Sequence, residues 1–423
     1  MKNLENNTYR VEAFDILQLL FEEFNDHQIH GIIYFKNHIN EEIFKKALWI
    51  SAEMFPLIKC KFVQGKGFPY WEQTQCTIDD LVKVIHSKNS RVDIDKFVLH
   101  KTNTYDGPQM AVYIVRDNEK DTVAIVMNHM LCDGAGFKEY MYLISSIYNS
   151  LQENQDYKPE IKNMDRRATQ TLRAMTFKEK VRTSINPYKL SKQKSKKYFS
   201  LQGDESNPFI EKITMDFKQF NNIKKYAKDN GATINDVFLT TFFRVLNLYN
   251  HVQITTIPCA VDMRKYIPDR KSRGICNLVS NLFCEIEWNE EESFHHTLMK
   301  VKSSMDKEKA SNQCLNSIIL LETALKVLPY EKATKLIKSK FSNPPIAFTN
   351  IGLIKKEKLY FNNSEVEGAF ITGSIKYAPY FQLATTTFHD KVTFTIAFYG
   401  TNIDRKNIKD FLQQIVRHLQ DVI

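Results

Sequence analysis

No stretch of this 423-residue chain approaches the roughly 20 consecutive apolar residues that span a bilayer, so a membrane-spanning protein is not expected. Residues Met1 to Asn7 are polar and mixed in charge, and lack the apolar core of a secretion signal. The seven cysteines are an odd number and are scattered without C-x-x-C spacing, which fits free thiols in a reducing cytoplasm. There is no G-x-S-x-G elbow, which argues against an ordinary serine hydrolase. There is no Walker loop or G-x-G-x-x-G run, so nucleotide use has no support. No short-period repeat or low-complexity tract is visible either.

What is present is a globular composition. The 43% hydrophobic content, rich in Phe and Tyr, fits packed structure and not disorder. The length exceeds one ordinary core and predicts two domains. The net charge of +9 is concentrated: residues 178–197 hold eight Lys or Arg against the single acid Glu179. A nucleic-acid protein more often spreads its charge over a groove-facing surface interleaved with aromatics, so nucleic acid is not an expected partner. A solvated connection is the plain reading of the run; a surface for a phosphate-bearing ligand or an acidic carrier protein is the alternative.

Strand and helix signals alternate in both halves, with few simple βαβ units. Gln28 to Phe35 reads as a strand, Asn40 as the N-cap of a helix beginning Glu41-Glu42, and Leu57 to Phe62 as a strand after Pro56. Met110 to Val115 and Thr122 to Met127 read as strands, and apolar residues from Phe137 to Leu151 recur at helical spacing from near Gly136. In the second half, Thr233 to Asp236 resembles a capping box, Ile254 to Val261 is a predicted strand, and Leu383 to Tyr399 a hairpin around His389-Asp390. A helix from Asp404 to Leu419 closes the chain. The expected fold class is α/β (α+β), two layered units with mixed sheets: an N-terminal unit over 1–165, a basic crossover over 166–205 and a C-terminal unit over 206–423.

One run carries the chemistry: Asn128-His129-Met130-Leu131-Cys132-Asp133-Gly134, at the end of the apolar strand. Burying polar groups there without partners costs about 1–3 kcal/mol each, so the histidine must be used or satisfied. Neutral imidazole suits a general base, being an acceptor near pH 7 that can reach into a cleft. Asp133 follows after a turn closed by Gly134 and Gly136, where glycine's tolerance of positive φ would let the chain reverse. The carboxylate would then face the neighbouring layer, and if buried would need an arginine. Alone, His129 reads as a satisfied core residue and Asp133 as a helix N-cap; together, after a strand and before a helix, they read as a functional site. Cys132 reads as a small packed residue, not a nucleophile, and the adjacent His295-His296 face apart on a helix, so no metal site is expected.

His129-Met130-Leu131-Cys132-Asp133-Gly134 resembles the H-x-x-x-D-G motif of the chloramphenicol-acetyltransferase-like superfamily, which includes CoA-dependent acyltransferases, wax-ester synthases and condensation domains. Ala47-Leu48 and Phe55-Pro56-Leu57-Ile58-Lys59 look like the family's opening strand–helix–strand, and Gly107-Pro108 like the segment before its motif. Gly231 to Val237 resembles its second-half helix start. Val261-Asp262-Met263-Arg264 with Asn277 is similar to its arginine strand, and Thr349-Asn350-Ile351-Gly352 to its S-N-x-G segment.

The resemblance implies two similar subdomains with an active-site tunnel between them, where a thioester and an acceptor meet at the histidine. His129 would be the base that deprotonates an alcohol or amine acceptor. Asp133, Gly134 and Arg264 would be structural at the site, with Arg264 paired to Asp133. Asn128, Asn277, Thr349 and Asn350 are the candidates for the oxyanion site or tunnel wall. The donor substrate would be acyl-CoA, with no bound cofactor, and a monomer would suffice because two halves supply the cleft. Asn128 stands where many condensation domains and wax-ester synthases carry a second histidine, and the D-F-G-W-G run of plant acyltransferases is absent. Both differences point toward a free-standing acyltransferase of the alcohol-acetyltransferase type. A condensation-type enzyme taking its donor from a carrier protein, and a non-catalytic member of the fold, are the alternatives.

Overall fold

The apolar run before His129 forms the strand Asp121–Asn128, every residue of which is buried. It is buried because it is central. Gln28–Phe35 and Met110–Arg116 pair with it antiparallel on either side. Val82–His86 adds a parallel edge beyond Met110–Arg116, and Val366–Thr372 an antiparallel edge beyond Gln28–Phe35. The structure, a computed structural model, describes residues 7–65, 67–160, 164–185, 200–250, 256–270, 272, 274–311, 313–341 and 344–422.

Two helices, Glu41–Met54 and Gly134–Glu153, lie on this first sheet and on each other. Asn40 caps the first, its side chain accepting from Ile43 N at 3.1 Å. The second passes so close to the sheet that a Cβ on Gly31 would lie 2.6 Å from Phe137 Cε1. Pro56 starts a 3-10 turn, Pro56–Lys59, and this delays the expected strand to Cys60–Val63, because the ring pre-sets φ for a turn. That strand joins Tyr70–Gln73 and Thr8–Arg10 in a small third sheet.

The second large sheet has six strands, in the order Val279–Glu285, Thr256–Asp262, Ile346–Ile354, Phe381–Phe388, Lys391–Tyr399 and Pro208–Met215. Its two inner pairings around Ile346–Ile354 are parallel and the rest antiparallel, so both large sheets are mixed. His389 and Asp390 both have positive φ, 48° and 55°, the geometry of a two-residue I′ hairpin turn. The capping box before helix Ile234–Asn250 is reciprocal: Thr233 N donates to Asp236 Oδ2 (2.9 Å) and Asp236 N to Thr233 Oγ1 (3.2 Å). The closing helix is longer than its periodicity predicts, Asn402–Val422.

Each large sheet has its own hydrophobic core. The helix Ala13–Leu20 serves both, with Phe14 and Leu17 in the second core and Ile16 and Leu19 in the first. Two parts of the expected division are corrected. Strand Val366–Thr372 belongs to the second half in sequence but completes the first sheet, because Gln28–Phe35 offers it an unpaired edge. Residues 166–172, at the head of the expected crossover linker, pack into the fold: Ala168 and Leu172 are buried in the second core and Arg166 is buried against Asp15 and the backbone of Met130 and Leu131. Residues 186–199, most of the basic run, lie outside the described residues.

Candidate active site

The strand that carries His129 stops where its backbone leaves the sheet. His129 N donates to His27 O (2.7 Å), and Leu131 N then turns back onto Asn128 O (3.0 Å). Asn128 is fully buried behind this turn. Its amide donates to Thr104 Oγ1 (2.9 Å) and Gln109 Oε1 (2.7 Å), and its Oδ1 accepts from Met130 N (2.9 Å). Asn128 therefore shapes the turn and does not line the cavity that His129 faces.

Asp133 caps the helix Gly134–Glu153, Oδ1 accepting from Gly136 N at 2.7 Å. Its Oδ2 points away from His129 into the second half, where it accepts from Leu278 N (2.6 Å) and Arg264 Nη1 (3.0 Å). Burial alone would raise this carboxyl's pKa, but the Arg264 guanidinium and the hydrogen bonds hold it below the ordinary value. Arg264, 7% exposed, also bonds Cys276 O (2.9 Å), Asp262 Oδ1 (3.1 Å) and Ser272 Oγ (3.2 Å). The pair is thus a bolt between the halves with its hydrogen-bonding capacity used. Asn277 adds a second tie, Nδ2 donating to His129 O and Met130 O at 2.9 Å each. Like Asn128, it holds the turn and does not line the cavity.

Sequence reasoning missed a third tie. Arg166, 3% exposed, donates through Nη2 to Met130 O (3.1 Å) and Leu131 O (3.0 Å), and is paired through both nitrogens with Asp15 (2.7 and 2.9 Å). The only signal was an arginine at the start of the expected crossover, indistinguishable there from its exposed neighbour Arg167.

Gly134 and Gly136 correct another expectation. Neither has positive φ; both lie in the first helical turn. They are needed for close approach. A Cβ on Gly136 would sit 2.9 Å from both Cys276 O and Cys132 Cβ, and one on Gly134 3.2 Å from Ile351 Cγ1. Gly136→Ala is expected to destabilise the protein by about 1–3 kcal/mol, despite alanine's better helix propensity. A urea-unfolding midpoint equal to wild type would contradict this.

His129 lines a cavity of about 250 Å³ between the two large sheets, with Gly134, Lys138, Asp262, Thr349 and Asn350 also in its wall. Nδ1 is buried with no partner in hydrogen-bonding geometry, which leaves Nε2 for the cavity. Burial lowers the imidazole's pKa below its ordinary value, and the Lys376 ammonium adds to this; the residue's own carbonyl, Asp133 and Asn277 oppose it. Thr349 and Asn350 lie on the strand Ile346–Ile354 at a β-bulge, where Gly352 takes φ +83° and its N donates to Asn350 Oδ1 (2.9 Å). Cys132 is buried with its thiol pKa pushed far up by desolvation, and His295 and His296 are exposed on a distant helix; none of the three lines the cavity.

A histidine at a strand end, aimed into a cavity between two mixed sheets and pinned by a cross-half ion pair, matches a known architecture. The chain belongs to the Condensation domain family, whose pattern it matches over residues 16–423. Among solved structures it is similar to the first condensation domain of the CDA synthetase, with TM-score 0.72, 12% identity, and 99% of this chain and 97% of that one covered. It is similar to the trichothecene 15-O-acetyltransferase of Fusarium sporotrichioides at TM-score 0.69 and 12% identity, over 97% and 95% of the two chains. The epimerization domain from the third module of tyrocidine synthetase B gives TM-score 0.67 and 11% identity, over 100% and 99%. At such identities the likeness shows a shared fold. No curated protein matches the chain.

Proposed function

We propose that the protein transfers an acyl group from a thioester to an alcohol or amine acceptor, with acyl-CoA as donor and His129 as general base. The observation that carries this reading is the His129 ring at the cavity wall, on a turn fixed by Asp133–Arg264, Asn277 and Arg166. In this reaction Nε2 accepts the acceptor's O–H or N–H proton while the nucleophile attacks the thioester carbonyl. The tetrahedral intermediate collapses by breaking the C–S bond, and the proton returns to the departing thiolate. Thr349, through its hydroxyl, is the candidate donor to the oxyanion. Asp133 takes no proton; it is positioned by Arg264 and positions the turn.

Membership of the Condensation domain family supports a second reading, in which the donor is carried by a separate carrier protein. The two are separated by assaying thiol release from acetyl-CoA against transfer from an acyl-loaded carrier protein. Turnover with acetyl-CoA supports the first. Turnover with the carrier alone supports the second, and charge reversal of Lys178, Lys180 and Arg182 on the helix Phe177–Ile185 should then raise KM for the carrier only. Absence of turnover with either donor contradicts both.

A further inference from the structure

The wall of the cavity around Asn25, Ser374 and Lys376 is not used by the reaction above. Most of its polar atoms are engaged. Asn25 donates to Phe21 O (3.2 Å) and accepts from His27 N (2.8 Å), and Ser374 Oγ donates to Gln28 O (2.7 Å). Lys376 is different. Its backbone is held rigidly, N donating to Ala397 O (3.0 Å) and O accepting from Tyr399 N (2.8 Å). Its ammonium, however, has no ion pair or hydrogen bond among the described residues.

The single acid that acts on Lys376 is Asp26, and only one of its two carboxylate oxygens is hydrogen-bonded among the described residues. Its Oδ1 accepts from Gln28 N (3.1 Å) and Ile375 N (2.9 Å), and its Oδ2 lies 3.7 Å from His30 Nε2. Lys376 is half-buried, and an ammonium partly withdrawn from water without a partner carries a desolvation penalty. Consistent with that, burial pushes the Lys376 pKa down to about 8 against the pull of Asp26. The group is close enough to His129 to depress the imidazole's pKa as well. Gln382 lines the same wall, and its side-chain amide makes no hydrogen bond to the described residues.

We infer that Lys376, with Gln382 beside it, binds the carboxylate of the acyl acceptor. The inference rests on the acyl-transfer reading and narrows it: the acceptor is a small amino or hydroxy acid whose nucleophile reaches His129 while its carboxylate neutralises Lys376. The space agrees. A cavity of about 250 Å³ is below the ~300–1,000 Å³ of drug-sized sites and suits a molecule of a few heavy atoms beside the thioester.

The test uses the full chain and matched acceptors, each as its acid and its amide: glycine and glycinamide, β-alanine and β-alaninamide, lactate and lactamide. Thiol release from acetyl-CoA and protection against thermal unfolding by the acceptor alone are both measured. The acid of at least one pair should exceed its amide by about tenfold or more in kcat/KM, the worth of one charged hydrogen bond, and should raise Tm. Lys376→Met should bring the acid-to-amide ratio near one, and Lys376→Arg should keep it. Turnover with acid and amide treated alike overturns the inference and leaves acyl transfer standing. Carboxylates that protect the wild type but not Lys376→Met, with no thiol release, uphold the anion site and overturn acyl transfer from acetyl-CoA. Neither protection nor selectivity overturns the inference. So does a Lys376→Met defect confined to KM for acetyl-CoA that disappears with the phosphate-free S-acetyl-N-acetylcysteamine, which would assign the lysine to the donor's phosphates.

Discussion

Replacing His129 with alanine should lower turnover by about 10²–10⁴-fold, the usual share of a positioned general base. Stability should change little, because the ring edges a cavity and its backbone ties to His27 and Asn277 do not need the side chain. The pH profile of the wild type gives the same assignment a second check. A base works only when neutral, and burial with Lys376 nearby keeps the folded pKa of His129 below 6.5. Activity should therefore persist as pH falls to 6.5 and be lost only below it, along an acid limb that follows the lowered pKa. An alanine variant with undiminished kcat would remove His129 from the chemistry. An acid limb centred above 6.5 would contradict the burial argument.

Arg264→Met should be the most destabilising single substitution at the site, by about 3–5 kcal/mol, because it leaves the Asp133 carboxylate buried beside Gly136 N and Leu278 N without its counter-charge. The carboxyl pKa is held down chiefly by this guanidinium once the cost of burial is overcome, so the variant should also become more stable, relative to wild type, as pH falls and the carboxyl protonates. Asp133→Asn in the same background should recover part of the loss, since the uncompensated charge is then gone. Urea unfolding of the two single variants and the double variant measures the coupling. Strictly additive effects would mean that the two groups, 3.0 Å apart, do not stabilise the fold through each other.

How much of this was legible in the chain itself depends on how local the signal is. The capping Asn40, the reciprocal Thr233–Asp236 box and the His389-Asp390 hairpin are decided within a few residues, and sequence reading places them. Strand Asp121–Asn128 is legible because burial on both faces leaves an unbroken apolar run. Pro56 was readable as a helix stop, but the extra 3-10 turn that shifts the next strand was not. Asn128 and Asn277 were candidates for the oxyanion site or tunnel wall through the family resemblance, Asn128 standing where a second histidine is common and Asn277 matching an asparagine after the arginine strand. Their amides instead satisfy backbone and side-chain groups of the turn that no sequence pattern brings together. Thr349-Asn350-Ile351-Gly352 was recognisable as a motif, but its meaning as a bulge that needs left-handed backbone at Gly352 is visible only against the neighbouring strand.

By itself, the order of residues determined the mixed α/β class, most element positions, and a histidine and an aspartate four residues apart between a strand and a helix. These depend on periodicity, capping and turn chemistry, which act over a few bonds. Only the tertiary structure decided that Val366–Thr372 crosses to the first sheet, that Arg166 braces the motif turn, that the glycines serve close approach, and that Lys376 lines the histidine's cavity with no ion pair among the described residues. Each of these joins residues more than thirty positions apart or depends on what fills the space beside a backbone. Which distant groups meet is set by how two separate cores close against each other, and a linear pattern of apolar and polar residues carries no record of it.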